Sequence, residues 1–222
     1  MSEHGLTSDA ERREHIAGMI LRLRRAGITD RRLVSAIEAA PRDLFVPAEM
    51  RADAYSDRTL PIDCGQSISA PVIVGLMTSA LDVGEEDRVL EIGTGTGYQT
   101  AILARLARRV YTIERFRTLT AAAESRFRTL RLTNITTLVG DGIKGWPEQA
   151  PFDRIVVTAS GEAVPEALFR QVRLGGMLIM PVGPSDGAQK LMRYQRGEEG
   201  FTAQELADVR FVPLIPGKAQ RL

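Results

Sequence analysis

Cysteine and histidine are nearly absent from this chain of 222 residues, which contains one cysteine, Cys64, and two histidines, His4 and His15. A single cysteine excludes an internal disulfide and a cysteine-cluster metal site, so we expect no bound metal. Both histidines lie near the N-terminus. A Ser-His-Asp triad or a zinc cluster therefore requires that segment to fold over the rest of the site. The scarcity of histidine favours chemistry that depends on positioning more than on proton transfer.

Charge of one sign and long apolar runs are also missing. Twenty-nine basic and 28 acidic residues give a formal net charge of +1, and no block of like charge indicates binding to nucleic acid or to an anionic membrane. No stretch reaches transmembrane length, and the N-terminal segment lacks the apolar core of a signal peptide. We therefore expect a soluble, cytoplasmic protein. The composition does not predict its oligomeric state.

A glycine-rich loop separates an apolar run from a helical pattern in VLEIGTGTGYQT, residues 89–100. The run before the loop is typical of a buried parallel strand, and apolar residues recur at helical spacing after it. Gly93, Gly95 and Gly97 lack a Cβ atom, so their backbone can adopt positive φ and approach a ligand closely. The N-terminus of the following helix presents free N–H donors. We therefore expect the loop to bind a nucleotide.

The residues around the loop indicate which nucleotide this is. A dinucleotide fingerprint has its third glycine where this chain has Tyr98, which disfavours the alternative of a nicotinamide-dependent oxidoreductase. An acid two residues before the first glycine, here Glu91, instead resembles the loop of S-adenosylmethionine-dependent methyltransferases. Glu114 ends the next predicted strand, 21 residues after Gly93, where a carboxylate can accept from both hydroxyls of a ribose. We expect bound S-adenosylmethionine, with S-adenosylhomocysteine as its product.

Strand and helix patterns alternate through residues 88–183, which predicts a cofactor-binding core with a doubly wound, mostly parallel sheet. Residues 1–87 carry extra N-terminal helices and a long loop. In residues 184–222, strands predicted at 191–195 and 209–214 without a helix between them indicate an antiparallel edge. The expected fold is the α/β Rossmann-like fold of S-adenosylmethionine-dependent methyltransferases, as a single domain spanning all 222 residues.

Asp141 and Gly142 follow the third predicted strand of this core, within the sequence Gly-Asp-Gly. The carboxylate of Asp141 can accept a hydrogen bond from the exocyclic amine of adenine, and its glycine neighbours leave space for the base. The alternative is an ordinary turn aspartate, which this sequence also favours.

Six segments together resemble one known family. They are YSDRTLPIDCGQSISAPVIVGLM at 55–77, RVLEIGTGTGYQTAILA at 88–104, GDG with GW within 140–146, APFDRIVVTA at 150–159, LGGMLIMPVG at 174–183 and VRFVPL at 209–214. In this order they resemble the bacterial protein-L-isoaspartate O-methyltransferases over nearly the whole chain. The resemblance implies methyl transfer from S-adenosylmethionine to the free α-carboxylate of isoaspartyl residues in damaged proteins or peptides. The ester then collapses to a succinimide, which hydrolyses partly to normal aspartate.

The resemblance also implies residue roles. The family's active-site serine falls on Ser69. Its cofactor contacts fall on Ser67, Ile68, Ser69, Glu91, Gly93, Glu114, Asp141 and Gly142, to which the loop argument adds Gly95 and Gly97. The strand that lies beside the isoaspartyl segment matches Val212, Pro213 and Leu214. An alternative for Ser69, two residues before Pro71, is an N-cap or N′ residue at the start of a helix.

The expected reaction suits a site without histidine. A carboxylate with a pKa near ~4 is already a nucleophile at neutral pH and needs no general base. The main demand is alignment of its oxygen with the methyl carbon and sulfur, and a small hydroxyl such as that of Ser69 can orient the oxygen.

Two segments beside the expected acceptor pocket depart from the family pattern. Asp63 and Cys64 stand where a glycine-containing pair is common, and residues 159–162 (Ala-Ser-Gly-Glu) replace a proline-containing run. Two further functions therefore stay open at the level of sequence. One is a related methyltransferase that acts on another carboxylate, and the other is a non-catalytic cofactor-binding protein.

Overall fold

The structure, a computed structural model, describes residues 9–219. The helices are α1 (Asp9–Arg25), α2 (Arg31–Glu38), α3 (Pro71–Leu81), α4 (Tyr98–Leu103), α5 (Arg117–Thr129) and α6 (Glu166–Gln171). The strands are β1 (Leu60–Pro61), β2 (Ser67–Ile68), β3 (Arg88–Ile92), β4 (Arg109–Glu114), β5 (Ile135–Val139), β6 (Phe152–Val157), β7 (Val172–Val182), β8 (Gln189–Gly197) and β9 (Gly200–Val209). In this part of the chain, no helix has both the length and the apolar composition required to cross a membrane.

A seven-stranded sheet carries the fold, in the order β5-β4-β3-β6-β7-β8-β9. The pairs from β5 to β7 are all parallel, whereas β8 and β9 are antiparallel to their neighbours. The chain runs outward from β3 to β5 on one side and then returns to add β6 on the other side of β3. This arrangement confirms the predicted doubly wound sheet with an antiparallel edge, and it places a crevice beyond the carboxyl ends of β3 and β6.

Local sequence accounts for the helices that frame this crevice. Pro71 occupies the first turn of α3, where its fixed φ suits a helix and its missing N–H costs no hydrogen bond. Asp82 ends α3 in the left-handed region, with a φ of 50°. Asp30 caps α2 as its sequence predicts, since its side chain accepts from the Leu33 N–H at 2.8 Å.

The N-terminal helices share one hydrophobic core with the helices beside the sheet. Met19 and Leu23 of α1 are buried, and α1 and α2 both pack against α3. Gly75 permits this approach, because a Cβ atom there would lie 2.8 Å from Ile28 Cδ1 and 2.9 Å from Leu23 Cδ2. The segment that precedes the predicted core is therefore packed onto it.

One strand prediction at the C-terminus was wrong. Of the predicted strand at 209–214, only Val209 lies in a strand, because β9 covers Gly200–Val209. The sequence of β9 is polar and mostly exposed, as suits an edge strand, so it lacks the apolar pattern on which the prediction relied. The apolar segment after β9 crosses the strand ends, where Ser160 N donates to Val212 O at 2.8 Å and Leu214 N donates to Ser160 O at 2.7 Å.

That the whole chain is a single domain stays a prediction, and Leu23 tests it. Leu23 is 0 % exposed, so Leu23→Ala should lower the free energy of unfolding by about 2–5 kcal/mol, because it leaves a cavity in the shared core. Urea denaturation followed by circular dichroism and by tryptophan fluorescence should give one common transition. The matched control is Leu21→Ala on the same helix, at a side chain that is 49 % exposed and should change stability by less than about 0.5 kcal/mol. Separate transitions for the two probes would contradict a single domain.

Candidate active site

A pocket with a cavity volume of about 110 Å³ lies at the crevice beyond β3 and β6. This main pocket contains most of the predicted site residues in its wall. They are Ser67, Ile68, Ser69, Glu91, Gly93, Gly95, Glu114, Gly142, Val212, Pro213 and Leu214. Residues from five separate parts of the sequence therefore converge at the point that the topology predicts.

Two predicted residues lie outside this wall, and each has a structural task. Gly97 has a φ of 88°, and a Cβ atom there would lie 2.6 Å from the Phe127 ring, so this glycine lets α4 pack closely on α5. Asp141 Oδ1 accepts from the Ile143 N–H at 3.0 Å, which is the turn geometry considered as the alternative for this residue. Contact of either residue with the cofactor stays a prediction.

The remaining loop glycines differ in why they are needed. Gly93 has a φ of 97°, and a Cβ atom there would lie 2.3 Å from Thr158 Oγ1. Gly95 has a φ of 53°, and the nearest atom to its hypothetical Cβ is 3.8 Å away. Gly93 therefore permits the close approach of β6, whereas Gly95 keeps open space at the pocket wall.

Glu114 is held rigidly at the end of β4 by backbone donors. Its Oε2 accepts from Gly95 N at 2.8 Å, and its Oε1 accepts from Arg115 N at 2.8 Å and from Phe116 N at 3.1 Å. Three of about four acceptor positions of the carboxylate are thus occupied. One position remains for a ligand hydroxyl, and a second hydroxyl requires Gly95 to give up its hydrogen bond.

Glu91 is a second acid in the pocket wall, and it is 0 % exposed. Its Oε2 accepts from the hydroxyls of Thr100 at 2.5 Å and Thr112 at 2.7 Å, whereas its buried Oε1 has no hydrogen-bond partner in the structure. Complete burial raises the pKa of Glu91 to about 7, although the two threonine hydroxyls act in the opposite direction. Glu91 Oε1 is therefore an acceptor available to a ligand cation.

Ser69 lies immediately before α3, but its hydroxyl does not cap that helix. Ala70 is the cap residue and makes no side-chain capping bond, and Asp57 instead accepts from Val72 N at 3.1 Å. Ser69 therefore occupies the N′ position, directly before the cap residue, which is one of the two positions considered as its alternative. The Ser69 side chain is half-buried and lines the main pocket.

Ser69 also lines a second depression, which we call the side groove. The groove is lined by Thr59, Ser69, Ile73, Asp208, Val209, Arg210 and Phe211. Ser69 and Phe211 belong to both walls. A second molecule can therefore approach the main pocket from this side.

The two departures from the family pattern have structural explanations. Cys64 has a φ of 61°, in the left-handed region that glycine prefers, and it lies outside the wall of the main pocket. Ser160 is 2 % exposed, and its hydroxyl lies 3.3 Å from the carbonyl oxygens of Phe211 and Val212. This run therefore fastens the segment after β9 beside the pocket.

Nine lining residues were not predicted from the sequence. They are Gln66, Val74, Ile92, Tyr98, Gln99, Ile113, Arg115, Phe211 and Ile215. Most of them adjoin a predicted residue, so their proximity was a usable signal. Val74 of α3 has no such neighbour, and only the fold brings it to the wall.

The wall fits a nucleoside cofactor that carries a cationic tail. The open space at Gly95 lets a ligand approach the backbone closely. The fixed carboxylate of Glu114 is an acceptor for a ribose hydroxyl. The unpartnered Glu91 Oε1 is an acceptor for an ammonium group.

Comparison with known proteins identifies the family. The model of the protein-L-isoaspartate(D-aspartate) O-methyltransferase family matches residues 14–219. The chain belongs to this family. Curated proteins that are similar to this chain carry the name protein-L-isoaspartate O-methyltransferase. One from Paracoccus denitrificans is 54 % identical over 97 % of this chain and 100 % of its own length, and one from Maricaulis maris is 53 % identical over 92 % and 95 %.

Solved structures of the same family share this fold. A protein-L-isoaspartate O-methyltransferase aligns with a TM-score of 0.79 and 26 % identity, over 89 % of this chain and 65 % of that chain. A putative family member from Plasmodium falciparum, in complex with S-adenosyl-L-homocysteine, aligns with a TM-score of 0.78 and 24 % identity, over 90 % of this chain and 98 % of that chain. These alignments agree with the predicted methyltransferase fold.

The pKa of Glu91 predicts how stability depends on pH. Its folded pKa of about 7 exceeds the reference value of 4.5, so the folded state binds the proton more tightly, and this contribution to stability is lost as pH rises through 7. Between pH 5.5 and 8, the cofactor-free protein should lose about 2 kcal/mol through this group. Urea denaturation of Glu91→Gln, whose side chain is always neutral, should lack this loss. Parallel pH profiles for the two proteins would refute the assignment.

Proposed function

We propose that this chain transfers the methyl group of S-adenosylmethionine to the free α-carboxylate of L-isoaspartyl residues in damaged proteins or peptides. Membership of the family supports the reaction. The structural observation that carries the proposal is the position of Ser69, because its side chain lines both the main pocket and the side groove. A hydroxyl at this junction can contact an acceptor that enters beside a bound cofactor.

The cofactor half of the site is formed by the ends of β3 and β4. Glu114 would accept from the ribose, and Glu91 Oε1 would accept from the ammonium group of the methionine tail. Gly142 lines the main pocket, and its backbone packs closely on β3, because a Cβ atom there would lie only 2.3 Å from Ile92 Cγ2. When bound, S-adenosylmethionine supplies an electrophilic methyl group on a positively charged sulfur.

The acceptor half is formed by Ser69 and the segment after β9. Val212, Pro213 and Leu214 line the main pocket, and the hydrogen bonds of Val212 O and Leu214 N with the Ser160 backbone fix their position. An extended peptide placed along this segment would bring its carboxylate toward Ser69. The hydroxyl of Ser69 would then donate to one carboxylate oxygen and leave the other free to attack the methyl carbon.

No residue of the site has to remove a proton from the acceptor. The isoaspartyl carboxylate is ionised at neutral pH, so the chain contributes alignment and a partly dry environment. Attack of an anion on a cationic methyl donor reduces charge separation, which a site that excludes bulk water favours. The apolar side chains of Ile68, Val74 and Phe211 in the wall provide this exclusion.

The alternative of another carboxylate acceptor uses the same cofactor half. The departures from the family pattern do little to favour this alternative acceptor. Cys64 and Ser160 lie outside the wall of the main pocket, and Ala159 is the one residue of the altered 159–162 run that the wall includes. The side groove, open along β9 and α3, suits a peptide better than a small metabolite.

A methyl-transfer assay on two peptides of identical sequence tests the substrate. One peptide carries isoaspartate and the other aspartate at the same position. We expect tritiated methyl ester on the isoaspartyl peptide alone, since only there does a free α-carboxylate stand at the branch point. Equal labelling of both peptides, or labelling of neither while S-adenosylhomocysteine binds, would reject the proposed substrate.

Ser69→Ala tests the residue at the junction. Without its hydroxyl the carboxylate is less well oriented, so kcat on the isoaspartyl peptide should fall about 10- to 100-fold, in line with the loss of one positioned donor. The affinity for S-adenosylhomocysteine, measured by calorimetry, should change less than about threefold. Ser79→Ala, at an exposed serine of α3, is the matched control and should keep full activity. An unchanged kcat in Ser69→Ala would remove Ser69 from this role.

A further inference from the structure

Arg42 is a fully buried arginine in the short turn after α2, with 0 % of its surface exposed. Arginine is rarely buried to this extent unless an acid pairs with it. In residues 9–219, no carboxylate oxygen lies within ion-pair distance, 4.0 Å, of this guanidinium. Burial lowers the pKa of Arg42, but a guanidinium stays protonated in proteins. The chain thus maintains an unpaired buried cation.

The donors of Arg42 bind the acceptor side of the site. Its Nε donates to Ala54 O at 2.7 Å, and its Nη2 donates to Ser69 O at 2.7 Å. These two carbonyls stand at the two ends of the long loop that leads to α3. Arg42 therefore fixes the backbone of Ser69, the residue whose hydroxyl is proposed to contact the acceptor.

The planar face of the same guanidinium contacts the cofactor side. Its central carbon lies 4.7 Å from the centroid of the Tyr98 ring, within the range of a cation–π contact. Tyr98 is the first residue of α4, directly after the glycine loop, and it lines the main pocket. One rigid side chain thus connects the glycine loop with Ser69.

The nearby acids are engaged elsewhere, which leaves Arg42 free for this connection. Asp57 accepts from Val72 N at 3.1 Å. Asp43 accepts from Tyr55 Oη at 2.6 Å and from Arg12 at 3.0 Å. Arg42 Nη1 is buried and has no hydrogen-bond partner in the structure.

We propose that Arg42 is a positioning residue for methyl transfer, which sets the distance between the Ser69 hydroxyl and the methyl group held above the glycine loop. The inference rests on the proposed role of Ser69. It predicts that Arg42 affects the chemical step through Ser69, and that it affects cofactor affinity little.

A double-mutant cycle tests this dependence, with Arg42→Lys, Ser69→Ala and both together. Lysine keeps the charge but loses the planar fork that reaches both carbonyls. We expect Arg42→Lys alone to lower kcat on the isoaspartyl peptide by at least about tenfold, with S-adenosylhomocysteine affinity within about threefold of the unmodified protein. In the Ser69→Ala background the same change should lower kcat by less than about threefold, because interacting residues are not additive.

Arg105 provides a matched control. It also donates to two backbone carbonyls, Ala101 O at 2.7 Å and Ala39 O at 2.9 Å, but it lies outside the walls of the main pocket and the side groove. Arg105→Lys should leave kcat within about twofold of the unmodified protein, since no site residue depends on its hydrogen bonds.

Three outcomes would overturn the inference. An equal fold-loss of kcat from Arg42→Lys in both backgrounds would show that the effect does not pass through Ser69. A loss of cofactor affinity as large as the loss of kcat would indicate general damage. Failure of both Arg42→Lys and Arg42→Gln to bind S-adenosylhomocysteine would mean that Arg42 serves folding alone. Inactivity of the unmodified protein on isoaspartyl peptide is a different result, because it rejects the proposed function itself.

Discussion

The close contact between the ends of β3 and β6 is the constraint on which the site depends. Thr158 Oγ1 donates to Ile92 O at 3.0 Å and to Gly93 O at 2.8 Å, so the glycine loop is fastened to the neighbouring strand. The chain leaves β3 on one side and enters β6 on the other, which opens the crevice between their connections. A side chain at Gly93 would clash with Thr158, because a Cβ atom there would lie 2.3 Å from Thr158 Oγ1. The two strand ends could then not approach this closely beside the main pocket.

Two acids at this crevice have opposite environments, and the difference suits the two ends of a cofactor. Glu114 is surrounded by backbone N–H donors, which fix its direction. Glu91 is completely buried, and one of its oxygens has no partner. A cation placed beside Glu91 would compensate its burial, because an opposite charge favours the ionised carboxylate. The proposed contact of Glu91 with the cofactor's ammonium group would therefore couple cofactor binding to the protonation of Glu91.

The helices at the N-terminus belong to the acceptor side of the site. Asp43 lies in the turn after α2. Its carboxylate accepts hydrogen bonds from Arg12 of α1 and from the hydroxyl of Tyr55. Arg22 of α1 donates to the Tyr55 carbonyl, and Arg42 holds the two ends of the loop that follows. The same helices share the hydrophobic core of the sheet. The proposed acceptor side is thus held in place by a segment that precedes the cofactor-binding core in the chain.

Much of the cofactor half could be predicted from the sequence, because its signals are local. Alternating glycines require particular backbone angles, a proline favours the first turn of a helix, and apolar runs are buried as strands. Gly93, Gly95, Glu91 and Glu114 were found in this way and lie in one wall.

Only the tertiary structure decided which distant residues meet. The segment after β9 contains apolar residues that suggested a strand, yet it crosses the pocket because Ser160 supplies its hydrogen bonds. Arg42 carries no motif, and its connection of Ser69 to Tyr98 exists only once α2, α3 and α4 have packed. The sequence by itself determined the parallel strands of the sheet, the glycine loop and the identity of the cofactor. Packing decided how the acceptor residue is held, because contacts between segments far apart in the chain leave no periodic or local pattern in it.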